Sequence, residues 1–308
     1  MKSIGVDIGG TKIAVGAVDR EGNVVTRIEL ATDAGVGFGI AVERVCRAID
    51  DVLAQAGWRG EELGGIGIGC AGPVDPRLGL INNPHTLSGW NACDILSPLR
   101  ERFAVPAHLE NDADSALIGE CWIGAGRGCD PVVMLTFGTG VGGAAMIGNR
   151  ILRGANGEHP ELGHVVVKGD GPECYCGTRG CLESLASGSA ISAAAVAGGY
   201  RDIAAAFSAA EKGELRAKRI AERALDAAAT AAWTFFHSFL PQRLILGGGL
   251  MERLHGPFAS AMNRKLQAAS QFSHSAMAIV PAALGKDAGI IGAARLCHQP
   301  SQTIQNKL

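Results

Sequence analysis

Between Gly163 and Ser184 the chain reads GHVVVKGDGPECYCGTRGCLES, and this stretch constrains the fold more than any other. It places one histidine and three cysteines, His164, Cys174, Cys176 and Cys181, in a short glycine-rich loop. A soft tetrahedral cation such as zinc takes four nitrogen and sulfur ligands, and closely spaced thiolates bend a short loop around it. Loop disulfides or plain free thiols are the competing reading. Cys174 and Cys176 are too close in sequence to bridge one another comfortably, and the loop has too little apolar content to fold unaided. Structural zinc is the expectation. An ion with four protein ligands has no open position for water, so it builds a site rather than doing chemistry. Glu161 sits just before His164 and Glu183 just after Cys181, so closing the knot fixes two acids relative to each other.

A chain of 308 residues has room for two domains of ordinary size, each with its own core. A net charge of −2 offers no basic stripe for nucleic acid and nothing for an anionic membrane surface. No apolar run is long enough to span a bilayer, since the alanine-rich tracts are broken by Gly, Ser or charge. Nine cysteines are an odd number, which rules out a complete disulfide framework. With no signal peptide in view they point to a reducing cytoplasm. The 44 glycines are many, and their clustering after apolar runs points to backbone approaching phosphates.

KSIGVDIGGTKIAVGAVDREGNVV reads as strand, Gly-Gly turn, strand, turn, strand, with Asp7 ending the first strand. Val42, Val45, Cys46, Ile49, Val52 and Leu53 recur at helical spacing between Phe38 and Ala56. Gly64 to Asp75 reads as a strand ending in a Gly-Pro loop. Val105 to Glu110 is a strand, and Asn111 or Asp112 caps a helix running to about Ile123. Val132 to Phe137 is then a strand, Gly138 to Gly143 a turn, and Ala144 to Ile147 a returning strand. This restart resembles the opening and predicts two related α/β domains facing a cleft. Helices are expected over Gly188 to Ala197 and Arg216 to Leu240. A strand from Arg243 to Leu246 precedes GGGL and a further helix; a strand from Ala278 to Ala282 precedes the helix KDAGIIGAARL. The expected domains are 1–114, completed by the helix in 287–308, and 115–286, which holds the zinc loop 161–184. The tail from Gln299 to Leu308 is polar and expected to fray.

Three glycine turns follow strands: DIGGTK, FGTGVGG and LGGGL. Glycines let backbone N–H groups approach a polyanion, Thr11 and Thr139 can add hydroxyl donors, and Lys12 a charge. None has the Walker or Rossmann spacing, and each alone could be a tight hairpin. Together they favour a nucleotide held between two domains. Asp112 lies where a strand ends and a helix begins, the position that faces the cleft in open α/β architectures. A hydroxyl attacking a phosphoryl group needs an acceptor for its proton, and Asp112 is the candidate base. It could equally be a helix cap, unless Asn111 takes that part. Asp7, beside a phosphate turn, suits a hydrated magnesium ion, although a plain turn-initiating Asp looks the same. His159 precedes Pro160 and Glu161, and its role stays open. His85, His108, His237, His255, His274 and His298 lack a partner pattern and read as structural or surface. Cys46, Cys70, Cys93, Cys121, Cys129 and Cys297 read as ordinary buried thiols.

In family order, DIGGTK, GCAGPVD, LENDAD, LTFGTGVGG, ELGH, CYCGTRGCLE, ASG, LGGG and DAGIIGAA resemble the ROK family of the actin–hexokinase superfamily. The resemblance covers nearly the whole chain and is most specific in the zinc segment. It implies an actin-like (ribonuclease H-like) ATPase fold of two α/β domains, with MgATP-dependent phosphorylation of a hexose or N-acylhexosamine at a primary hydroxyl. It makes Asp112 the catalytic base and gives Gly72, Asn111, Asp112, Glu161, His164 and Glu183 to the sugar, His164 serving zinc through its other ring nitrogen. Gly9, Gly10, Thr11 and Lys12, then Gly138, Thr139 and Gly140, match the phosphate turns, and Gly247, Gly248 and Gly249 the turn near the adenosine. A homodimer or homotetramer is implied. His159-Pro160-Glu161 departs from the more usual Ala-Gly-Glu and resembles the fructokinase-like branch, whereas the zinc loop resembles glucokinases and N-acetylhexosamine kinases. In PHTLSGW, Thr86 falls near where many glucokinases place an asparagine. The expectation is an ATP-dependent hexose 6-kinase, glucose first, then N-acetylglucosamine or N-acetylmannosamine, then fructose. The rival is a sugar-sensing regulator, whose helix-turn-helix would have to precede a first strand that starts almost at Met1.

Overall fold

The computed structural model describes residues 1–84, 86–267 and 276–298. His85, His274 and the tail from Gln299 lie outside the described residues. The chain divides into two compact units, residues 1–127 with 153–159 and 286–308, and residues 128–152 with 160–285.

The first unit is built on a five-stranded sheet of β1 (Lys2–Ile8), β2 (Lys12–Val18), β3 (Val24–Ala31), β4 (Leu63–Cys70) and β8 (Ala107–Asn111), in the order β3-β2-β1-β4-β8. β1 and β2, then β2 and β3, pair antiparallel; β1, β4 and β8 run parallel. Between β4 and β8 a small antiparallel sheet forms from β5 (Val74–Asp75), β6 (Leu80–Asn83) and β7 (Trp90–Asp94). The unit's helices are α1 (Phe38–Ala56), α2 (Leu96–Phe103), α3 (Asp112–Ile123) and, from far along the chain, α9 (Ala288–Leu296). The 3.6-residue spacing of α1 puts Val45, Ile49 and Val52 into one core with Ile4, Val6, Ile8, Ile66 and Ile68.

The other face of this sheet explains much of the glycine content. β4 reads Ile66-Gly67-Ile68-Gly69, and side chains alternate across a strand. The isoleucines face the α1 core, so the glycines face the opposite way, where α9 and α3 sit directly on the backbone. A Cβ at Gly67 would collide with the Ala293 carbonyl, one at Gly5 with the Ile290 carbonyl, and one at Gly69 would lie 2.8 Å from Ser115 Oγ. Where α3 crosses α9, a Cβ at Gly292 would meet the Ser115 carbonyl. These glycines, unlike those of the three turns, serve close packing of helix on sheet and helix on helix.

The second unit repeats the same plan. β9 (Val132–Phe137), β10 (Val141–Ile147), β11 (Arg150–Ile151), β12 (Arg243–Gly247) and β13 (Ala278–Pro281) are ordered β11-β10-β9-β12-β13. β9 pairs antiparallel with β10 and parallel with β12, and β13 extends the parallel side. Its helices are α4 (Leu182–Ala186), α5 (Gly188–Ala197), α6 (Ile203–Glu211), α7 (Leu215–Phe239) and α8 (Met251–Leu266). The core joins Val133, Leu135 and Leu244 to Ala224, Ala228 and Ala231 of α7, whose small side chains bring it close to its neighbours. Val141 to Gly143, expected as turn, already belong to β10, so the turn is only Gly138 to Gly140. Of the thiols expected to be buried, Cys93, Cys121 and Cys129 are only partly so. Among the described residues no helix is long and apolar enough to cross a membrane.

Candidate active site and zinc knot

Because β1, β4 and β8 are parallel, their carboxyl ends deliver Asp7, the Ala71-Gly72 bend and Asn111-Asp112 to the same end of one sheet. Asn111 is the helix cap: it is buried, and its Oδ1 accepts from the N–H groups of Ala113 at 2.8 Å and Asp114 at 3.2 Å. Asp112, the first residue of α3, is partly exposed, and its Oδ1 accepts from Ala113 N at 2.8 Å. Gly72 lies against Asn111, for a Cβ there would be 2.9 Å from Asn111 Nδ2.

Asp7 packs on the first turn of α9, where a Cβ at Gly289 would stand 2.6 Å from its carboxyl carbon. Desolvation pushes its pKa up to about 7, and the neighbouring Asp112 charge adds to the shift. A carboxyl this reluctant to ionise alone fits a site that receives a cation. The turn after Asp7 is tied back by Gly9 N to Lys12 O at 2.9 Å and by Thr32 Oγ1 donating to Gly9 O at 2.6 Å. Lys12 is well exposed and lies 3.7 Å from Glu29, an ion pair worth little by itself. Thr86, held by Asn83, stands beside Gly10.

In the second unit the Gly138–Gly140 turn is braced on several sides. Gly188 N donates to Gly138 O at 2.8 Å and Ser189 N to Thr139 O at 3.3 Å, so the start of α5 holds it. Glu183 Oε2 accepts from Val141 N at 2.8 Å and sits against Gly140. Gly247–Gly249 lies next to this turn: Gly247 pairs with Thr136, and Leu250 N donates to Phe137 O at 3.0 Å. Gly248 has φ +86, and a Cβ there would strike the Phe137 backbone, so only glycine fits this bend. Beside Gly249 opens a cleft of about 530 Å³ lined by Ser192, Asp202, Glu252 and Arg253, none of which the sequence had singled out.

His164, Cys174, Cys176 and Cys181 converge, with one donor atom from each lying within 4.8 Å of the others. Cys176 Sγ is 3.6 Å from Cys181 Sγ, and Cys174 Sγ is 3.4 Å from His164 Nδ1. Zn–S bonds of about 2.3 Å and Zn–N bonds of about 2.0–2.1 Å give tetrahedral edges of about 3.8 and 3.6 Å, so the donor set fits zinc. Burial and the neighbouring thiols push Cys181 up to about 12, and a bound cation would reverse that by taking the thiolate as ligand. Glu161 is exposed and opens the short turn Leu162–His164. Tyr175, inside the knot, is a residue that sequence reasoning missed. Its Oη is 3.1 Å from His164 Nε2, its ring meets the imidazole edge to face at 5.1 Å, and its hydroxyl also bonds Glu183. With Nδ1 on a metal, Nε2–H donates to Tyr175 Oη, whose hydroxyl donates to Glu183. Its Cys-Tyr-Cys setting carried no signal for this.

A second missed cluster surrounds the Asn111-Asp112 turn. Glu110 and Asp114 both pair with Arg153, Glu110 Oε2 at 2.5 Å from Nη2, and His159 Nδ1 lies 2.8 Å from Asp114 Oδ2. Asp114 is fully buried, and its Oδ1 has no hydrogen-bond partner. Burial raises the Glu110 pKa despite the guanidinium beside it.

A family model described as ROK family matches residues 3–300. The glucokinase of Thermotoga maritima is 35% identical, covering 97% of this chain and 98% of its own. A ROK hexokinase structure from Thermus thermophilus superposes with a TM-score of 0.83 at 33% identity, covering 96% of this chain and 97% of that one. A ROK family glucokinase from Streptomyces griseus, solved with glucose and AMPPNP, gives 0.79 at 30% identity, covering 97% and 100%. The duplicated mixed sheets are those of the actin-like ATPase fold, and the chain belongs to the ROK family.

Proposed function

We propose that this chain is an ATP-dependent sugar kinase acting on the 6-hydroxyl of a hexose, with glucose the first substrate. The observation that carries the reading is the pair of acids, Asp7 and Asp112, that the parallel strands β1, β4 and β8 bring to the same end of one sheet. Asp112 accepts the proton as the sugar oxygen bonds to the γ-phosphorus and the bond from that phosphorus to the bridging oxygen of ADP breaks. Bound magnesium would neutralise charge on the phosphates, with Asp7 holding it through water. Gly9, Gly10, Thr11 and Lys12 and the Gly138, Thr139 and Gly140 turn would donate to phosphate oxygens. The cleft beside Gly247, Gly248 and Gly249 would take the nucleoside, Asp202 and Ser192 being its hydroxyl-bonding groups. Gly72, Asn111, Glu161, His164 and Glu183 would bind sugar hydroxyls, the His164 Nε2–H passing from Tyr175 to the sugar, and zinc, with four protein ligands, would hold His164 and Glu183 in place.

Glucose is favoured by likeness to two glucokinases over nearly their whole lengths. The zinc loop supports an N-acetylhexosamine as a second reading, and His159-Pro160-Glu161 fructose as a third. The nine cysteines, none of them in a disulfide, fit a reducing cytoplasm. The test is ADP release from MgATP against glucose, mannose, fructose, N-acetylglucosamine and N-acetylmannosamine, with Asp112→Asn as the blank. One preferred sugar, silent in the variant, is expected; ADP release equal in variant and wild type sinks the assignment.

A further inference from the structure

His159 was the one residue of the sequence motifs left without a role, and its contacts supply one. Both ends of the segment 153–159 are fastened to a single carboxylate. Arg153 at its start and His159 at its end reach the same Asp114 oxygen, and Arg153 also holds Glu110. Between them the segment closes on itself, with Gly154 N donating to Glu158 O at 2.9 Å and Asn156 N to Glu158 Oε2 at 3.1 Å. The clamp is well covered: side-chain exposure is 0% for Asp114, 10% for His159, 12% for Glu110 and 22% for Arg153.

Its position along the chain is informative. Glu110 and Asp114 bracket Asn111-Asp112, one residue before and two after. On the other side, His159 is the last residue of the first unit's segment, followed by Pro160 and then Glu161. A proline fixes its own φ and restricts the residue before it, so little freedom separates the His159 ring from the Glu161 backbone. A wholly buried carboxylate with one unpartnered oxygen is an unfavourable arrangement that better-packed apolar residues would avoid.

We infer that His159, gripped by Asp114, is a positioning residue that sets Glu161 for the sugar, which rests on the kinase reading above. The helix carrying Asp112 keeps its Arg153 contacts when His159 is lost, so the effect falls on sugar binding more than on turnover. His159→Ala weakens sugar binding about tenfold, the size of loss that a small misplacement of a binding group produces, with the KM for MgATP within about twofold. His159→Asn, whose amide can stand where Nδ1 does, restores most of the affinity. Asp114→Asn reproduces the loss, and His159→Ala adds nothing further to it.

The experiment is titration calorimetry with the preferred sugar, alongside steady-state kinetics, thermal unfolding, zinc content and amide exchange over residues 153–162. Weaker sugar binding in His159→Ala, rescue by Asn, unchanged zinc and faster exchange confined to 153–162 are expected. Unaltered sugar affinity, or equal loss of sugar and nucleotide binding together with a lower Tm, overturns the inference. A wild-type protein that binds no sugar removes the kinase reading and the sugar role with it. Exchange in 153–162 remains an independent readout, and if His159→Ala leaves it unchanged, the clamp itself is refuted.

Discussion

The two sheets share strand order and direction, yet their corresponding ends differ in chemistry. β1 and β9 are both central strands that turn back antiparallel on one side and pair parallel on the other. Next to the last residue of each stands Asp7 in one and Thr136 in the other. The parallel neighbour β4 runs into Cys70-Ala71-Gly72, and β12 into Gly247-Gly248-Gly249. The third parallel strand delivers Asn111-Asp112 in the first unit and only Pro281-Ala282 in the second. One frame has collected acids at its strand ends, the other glycine bends and a cluster of one histidine and three cysteines that could hold a metal. On the kinase reading proposed above, a duplicated fold would supply a base from one frame and backbone donors from both.

The comparison breaks most visibly if the acid role is removed from the first unit. Asp112→Asn is expected to lower turnover by about 10²–10⁴-fold, because the second unit offers no acid at the equivalent strand end. Stopped-flow or coupled-assay kcat measures this, and sugar affinity should change little. Removing zinc tests the other half. Cys176→Ser, or a strong chelator, should cost several kcal/mol in the second unit, since a knot with few apolar residues depends on its ion. Thermal unfolding with parallel metal analysis reads this, and a metal-free protein of unchanged Tm would dismiss the knot as a scaffold.

Asp7 offers a third contrast. Its folded pKa of about 7 lies above the ordinary 3.8, so the folded chain holds the proton more tightly than the unfolded one. Its contribution to stability is therefore full below about pH 3.8 and lost as pH rises through about 7. Asp7→Asn should flatten that part of the pH–stability curve and raise metal-free stability at pH 8 by on the order of 2–4 kcal/mol, while abolishing activity. Urea unfolding across pH 5–8 would show it; an identical pH dependence in both proteins counts against the shift. The smallest effect compares the glycine turns. A Cβ at Gly140 runs into the Glu183 carboxylate, whereas one at Gly10 lies 3.2 Å from Thr86 Cβ. Gly140→Ala should therefore raise the KM for MgATP more than Gly10→Ala does, by about tenfold against twofold or less.

What could be read from sequence followed local rules. The α1 stripe marked a helix over Phe38–Ala56, and the spacing of three cysteines and a histidine pointed to four side chains that the structure brings together. The Asn111 cap with Asp112 beside it also follows from strand-then-helix order. Glycine misled once, by hiding the start of β10 at Val141, whereas the Ile-Gly alternation of β4 was read as a strand. Period-two alternation with glycine says that one face is crowded by backbone, but not which helix does the crowding. The Arg153–Asp114–His159 clamp was unreadable because its partners are 39 and 45 residues apart and share no local pattern. Tyr175 was hidden for a different reason: only the closed knot turns its hydroxyl toward His164 and Glu183.

The seating of α9 on glycines has a consequence for biosynthesis. β1 and β4 leave the ribosome well before the helix that covers their glycine face, which begins only at Ala288. Until then Gly5 and Gly67 expose bare backbone, while residues 128–285 form an almost contiguous unit that can close earlier. The second unit should consequently mature first, with the first-made segment waiting as a partly covered sheet until the late helix arrives. Nascent chains stalled before α9 would be the forms most in need of chaperones.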